Sequence, residues 1–227
     1  ASTYTDLGIE LMATGENAGT WGTKTNANLN LIEQLTGGFA TVSIAGGAGT
    51  TALDIDDGAL TGTAQQRIIE FTGSITGNRI VTIPNDVETF YILKNSTSGA
   101  YTVQFKYATG SGTSTTFSTT DKGTKIVYAT ANDGTNPDIV DVMANSSEIA
   151  VTNSNPIKFK DADDSASVGI KAPSTVSGTY TLTLPAGVGS ADQALVTTDG
   201  SGTLGFTSTS TFGISTGKSI AMAIVFG

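Results

Sequence analysis

Three observations predict an all-β protein with short strands. About four residues in ten are Gly, Ser or Thr, a composition that suits pleated surfaces and tight turns. Charged residues make up only 14% of the chain and strong helix formers are sparse. Short runs rich in Val, Ile, Tyr, Phe and Thr recur along the chain, separated by clusters of Gly, Asn, Asp and Ser. At 227 residues and 38% hydrophobic content the chain has material for a folded core.

From residue 39 to 144 the runs are "FATVSI", "TALDI", "RIIEF", "RIVTI", "ETFYILK", "YTVQFKY", "TKIVYATA" and "DIVDVM". In "YTVQFKY", Tyr101, Val103, Phe105 and Tyr107 fall on one face and Thr102, Gln104 and Lys106 on the other, the alternation of a half-buried strand. Intervening "GGAGT", "TGSITGN" and "NSTSGA" read as hairpin links, so this central region is expected to form a sandwich-like β domain.

Residues 1–38 differ. Leu29, Ile32, Leu31 and Leu35 lie at helical spacing, with Thr25 or Asn26 placed as the cap and Gly37 just past the end. A helix of about ten residues needs a surface to dock on. Either it packs on its own β domain together with Trp21, or the segment attaches the chain to a partner through Trp21, Leu29, Leu31, Ile32 and Leu35.

Residues 145–227 open with the polar "NSSEIAVTNSNP", a domain boundary by composition. Large apolar residues are then few, Leu182, Leu184, Leu195 and Phe206 among them. A compact core from about seventy residues would want more. The expectation is an intertwined β region that borrows its core from other copies in a homotrimer. The terminal "SIAMAIVFG" reads as a strand that presents Ile220, Met222, Ile224 and Phe226 to the same contact.

Composition also excludes function classes. With no Cys and no His, thiol nucleophiles, disulfides, imidazole bases and the common zinc sites are absent. A net charge of −9 without a basic cluster argues against nucleic-acid binding. No apolar run approaches the ~20 residues of a membrane span, and the start lacks the pattern of a signal peptide. The sequons at Asn95 and Asn145 are therefore expected to be unmodified.

Three motifs are weaker than they look. "GISTGKS" has Phe212 where a phosphate loop needs its first Gly, and too little chain follows for the helix and second strand. "DIDDG" from Asp54 places Gly58 and Gln65 where a calcium loop needs ligands, and "KDADDS" is similarly incomplete. Carboxylates are numerous enough for glycosidase chemistry, but one Trp makes a poor sugar cleft and nothing pairs them. No catalytic residue, metal ligand or cofactor is expected.

Two stretches resemble bacteriophage fibre proteins, marine phages' above all. One is "ITGNRIVTIPNDVETFYILKNSTSGAYTVQFKYATGSG", residues 75–112, continuing through "KGTKIVYATANDGTNPDIVDVM". The other, residues 161–208, is similar to a segment with the pattern V-G-x-K-A-P, Y-T-L-T-L-P, Q-x-L-x-T-D-G-x-G-x-L. Val168, Gly169, Lys171, Ala172, Pro173, Tyr180 to Pro185, Gln193, Leu195, Asp199, Gly200, Gly202 and Leu204 carry it, with Phe206 where an aromatic is expected. "GTWGTKTNANLNLIEQ" and "GKSIAMAIVFG" recur in such proteins too. The resemblance implies a non-enzymatic virion protein assembled in the host cytoplasm, a trimeric tail fibre or fibre adaptor acting in host attachment. Its implied partners are itself, other virion proteins, and a glycan or receptor on the host. A capsid decoration protein is the alternative, and a glycan-cleaving tail enzyme a further one.

Overall fold

A computed structural model describes residues 1–146 and 150–211, in two units, Ala1–Ile149 and Ala150–Gly227. The chain is mostly β with one long helix, as its composition predicts. "GISTGKS" and the expected terminal strand with Ile220, Met222, Ile224 and Phe226 lie outside the described residues.

Unit 1 begins with a ribbon of β1 (Thr3–Tyr4) and β2 (Glu10–Leu11), then α1 (Trp21–Gly37). Six strands follow: β3 (Phe39–Ser43), β4 (Gly49–Ala52), β5 (Ile68–Thr72), β6 (Arg79–Ile83), β7 (Thr89–Asn95) and β8 (Val103–Tyr107). Successive strands do not pair. β3, β5 and β7 run parallel in one sheet, and β4, β6 and β8 run parallel in a second. The hairpin links expected from the Gly-rich segments are corners instead, each carrying the chain from one sheet to the other. Three coils stack this way. The chain then reverses, and β9 (Thr115–Phe117) pairs antiparallel with β8 while β10 (Thr124–Ala129) pairs antiparallel with β7 and β11 (Ile139–Asp141) with β10. The final sheets have orders β11-β10-β7-β5-β3 and β4-β6-β8-β9.

The corners are corners because their backbones also pair. Gly46 bridges Ile75 and Ser74 bridges Ser98, both in parallel, and the Ile75 N–H donates to the Ser98 carbonyl at 3.0 Å. Close stacking demands small residues. Gly99 has φ +99°, and a Cβ there would press into the Ile75 carbonyl oxygen. A self-contained hairpin turn would leave these N–H groups to water; the stack satisfies them with the next coil.

Between the sheets, alternate residues fill the core. Ile69, Phe71, Tyr91 and Leu93 face Val81, Val103, Phe105 and Tyr107, all buried. Phe105 meets Tyr91 edge-on at 5.6 Å between ring centroids and Phe71 at 6.4 Å. Both tyrosine hydroxyls stay satisfied. Tyr91 donates to the Ala64 carbonyl and Tyr107 to the Val87 carbonyl, each at 2.8 Å, and the Ala131 N–H donates back to Tyr107. Burial pushes the Tyr107 phenol up to about 12. Asn95 is wholly buried and its amide donates to the Asp121 carbonyl, so that sequon is closed to modification.

The N-terminal segment belongs to this unit, so residue 38 is not a boundary of packing. Gln65, wholly buried, donates to the Leu7 carbonyl at 2.9 Å, and the Gly58 N–H donates to the Gly8 carbonyl at 2.8 Å. Asn28 on α1 accepts from the Glu10 N–H at 2.9 Å and donates to the Glu10 carbonyl at 2.8 Å, as a neighbouring strand would. The helix starts four residues before the expected Thr25, and Thr20 precedes it without a side-chain cap bond. Neither Thr25 nor Asn26 is the cap.

Glu10 sets a pH dependence. Its buried carboxylate lies 3.0 Å from the Lys24 ammonium and accepts from the Asn17 amide at 3.2 Å. The Ser2 hydroxyl and Lys24 hold its pKa below the ordinary glutamate value. A lowered folded-state pKa stabilises docking above the ordinary value, and the benefit is lost as pH falls through the lowered one. Hydrogen-exchange protection at residues 3–11, taken relative to the intrinsic amide rate at each pH, is expected to fall as pH drops below the ordinary glutamate value, before the sheet core responds. Glu10→Gln should flatten that pH response.

Among its described residues unit 2 contains two hairpins. β12 (Ile157–Lys160) pairs with β13 (Ser167–Ile170), and β14 (Gln193–Thr197) pairs with β15 (Leu204–Ser208). A parallel bridge joins Thr183 to Thr203.

Candidate interaction surfaces

α1 has two apolar faces. Leu31 and Leu35 point into unit 1 and are buried, so these two of the five attachment candidates are core residues. The other three are displayed. Trp21 is 63% exposed, Leu29 58% and Ile32 45%, and helical spacing puts them on one side with Thr25 between. The own-domain reading of the helix therefore holds for Leu31 and Leu35 but not for Trp21, which stays exposed. Scattered exposed apolar residues are ordinary, but a Trp, a Leu and an Ile on one stripe form a patch. Substituting Leu31 by Ala is expected to cost unit 1 about 2–5 kcal/mol in thermal or denaturant unfolding, as buried leucines do.

Unit 2 goes further. Among its described residues none is buried, whereas unit 1 buries a continuous core. Register places Ile157 opposite Ile170 and Phe159 opposite Val168. All four are exposed on one face of the β12–β13 hairpin, with Lys158 and Lys160 on the other. None of these four is among the contact candidates read from the sequence; the alternation in "IKFK" and in "SVGI" was the signal that could have found them. Leu182, Leu184 and Leu195 are exposed as well, and Leu184 reaches 75%. Phe206 is partly covered: it pairs across from Leu195 and lies so close to Gly189 that a Cβ there would meet its ring.

Other conspicuous residues of unit 2 shape turns. Asp199 accepts from the Ser201 N–H at 2.8 Å and the Thr203 N–H at 3.0 Å, which closes the "TDGSG" turn; the Thr203 hydroxyl, and then these N–H groups, lower its pKa. Gln193 accepts from the Ser190 N–H at 2.7 Å. Gly202, at φ +95°, leaves room for the Thr181 carbonyl.

The acidic motifs act likewise. Asp54 accepts from the Thr63 N–H at 3.1 Å, and Asp161 accepts from the Ala166 N–H at 3.2 Å. Among the described residues no group of three or more potential ligands is arranged to hold a metal ion. Carboxylates on the sheets face ammonium groups instead: Glu70 lies 2.8 Å from Lys94, and Asp141 2.8 Å from Lys125. Burial pushes Asp141 up, but Lys125 and the Ala144 N–H outweigh it, and the net shift is down. The Lys94 and Ser96 contacts likewise lower Glu70. No described helix is long and apolar enough to cross a membrane.

No protein-family model, curated protein or solved structure matches this chain.

Proposed function

We propose that this protein is a non-enzymatic structural subunit of a bacteriophage virion, a homotrimeric tail fibre or fibre adaptor. Unit 2 supplies the assembly surface, and the exposed stripe of α1 joins the trimer to another virion protein. The observation that carries the reading is the exposed apolar content of unit 2. Isolated two-stranded hairpins are marginal in water, and apolar faces on hairpins gain stability only by packing on something. A threefold arrangement of identical hairpins provides that surface from the same sequence. The fibre-protein resemblance of residues 75–112 and 161–208 supplies the virion context.

The attachment half is tested on α1. Replacing Trp21, Leu29 and Ile32 together by Ser is expected to change unfolding free energy only slightly, by about 0.5 kcal/mol per site or less, as at exposed positions generally. The variant should remain trimeric yet fail to join particles that lack the protein, as seen by sedimentation with purified virions. Normal incorporation would overturn the assignment of α1. Cryo-EM density for the incorporated parent then distinguishes a mount on the tail from one on the capsid.

A further inference from the structure

We infer that the outer face of the five-stranded sheet in unit 1 is a second contact between copies of this chain. The inference rests on the trimeric reading above and extends it to a surface outside unit 2.

The face is built by register. Phe39, Ile68 and Ile92 stand side by side on β3, β5 and β7, and Ile126 follows on β10. Val142 extends the row, because its N–H donates to the Ile126 carbonyl at 2.9 Å. Each row member alternates with buried neighbours such as Ile69, Tyr91, Leu93 and Val127, so the row points away from the core. Phe39 is 55% exposed and Ile126 40%. Phe90 and Tyr128, opposite each other on β7 and β10, widen the apolar band.

The other sheet shows that such a band is no general property of this fold. Its outward row is Thr50, Ile80, Gln104 and Thr116, with Ala52, Thr82 and Lys106 beside it. One large apolar residue stands there against four in the row from Phe39 to Ile126.

Charge identifies the occupant. The chain carries −9 overall, so two copies repel unless the touching faces are neutral. On this face Glu70 is paired with Lys94, and Ser96 donates to the same carboxylate at 2.6 Å. The Arg67 guanidinium lies over the Phe90 ring at 3.9 Å, and Tyr128 donates to Glu88 at 2.7 Å. Two carboxylates and two cations cancel. A neutral apolar band on an acidic protein suits a second copy of the same chain better than a cationic partner. Copies already joined through unit 2 are held at about millimolar effective concentration, where even a weak contact is populated.

The absence of native cysteine makes the test direct. Single variants I126C and F39C place a thiol on the band, and T116C places one on the opposite sheet. In the full-length assembly, maleimide labelling of I126C and F39C is expected to be slower than that of T116C by an order of magnitude or more. Adding Phe159→Asp, which breaks the unit 2 contact, should return the band thiols to the T116C rate. Trimers whose band thiols label as fast as T116C would overturn the sheet contact while leaving the assembly reading standing. Protection that survives in a Phe159→Asp monomer would also overturn it, because the cover would then come from the same chain. A parent protein that is monomeric would remove both.

Discussion

Phe159→Asp and Ile170→Asp are each expected to convert the native trimer to monomers while the melting of unit 1 is retained. Both side chains lie on the apolar face of the β12–β13 hairpin, and neither touches a core of its own chain. In a single chain an Asp there would sit in water at almost no cost. In the assembly it would place carboxylates against an apolar surface and near their symmetry mates, an uncompensated burial that costs several kcal/mol. The effect repeats in every chain, so dissociation should be complete at micromolar protein. Lys158→Ala, on the opposite face of the same hairpin, is the control and should leave the mass unchanged. Size-exclusion chromatography with light scattering reads all three variants. Retention of the parent mass by both Asp variants would remove the hairpin from the contact.

The second large effect lies within unit 1. Phe105 is wholly buried and meets two further rings, while its backbone pairs with Val81 on one side and Thr115 on the other. Phe105→Ala removes the side chain on which both sheets converge. Its cost is expected to be about 3–5 kcal/mol, from lost transfer energy and the cavity left behind. Against a typical domain stability of about 5–15 kcal/mol, that is enough to shift the melting of unit 1 by many degrees. Gln104→Ala, next in sequence but facing outward, should stay within about 0.5 kcal/mol. Chemical denaturation followed by tyrosine and tryptophan fluorescence checks both, and near-equal losses would mean that the inter-sheet core is not where stability resides.

These two predictions draw on different parts of what the sequence made legible. Period-two alternation identified the strands well: "RIVTI" coincides with β6, and Val103, Phe105 and Tyr107 share the buried face as read, whereas Tyr101, read on the same face, lies before β8 and is exposed. Pairing was not legible. Hairpin and coil corner both call for Gly, Ser and Asn, and local composition cannot say whether a corner's N–H groups bond to their own turn or to the next coil. An internal repeat would have revealed the stack, but the equivalent residues Phe39, Ile68 and Ile92 are unevenly spaced because the first coil carries the longer loop with Gln65. The helix boundary was missed for a related reason. α1 is held by Leu31, Leu35 and the Asn28 bonds to Glu10, contacts from distant sequence that extend it beyond what Thr25 or Asn26 would cap. For the surfaces, helical spacing put Leu29, Leu31, Ile32 and Leu35 together and left Trp21 ahead of the helix, and only packing separates Leu31 and Leu35 from the three displayed residues. The scarcity of large apolar residues after residue 156 was the plainest signal, and it corresponds to a unit whose described residues bury nothing.

Native mass spectrometry of the full-length protein at micromolar concentration tests the central claim most directly. The account predicts a dominant species at three times the 23.0 kDa chain mass, persisting on dilution. A single species at 23.0 kDa, stable and folded, would contradict it.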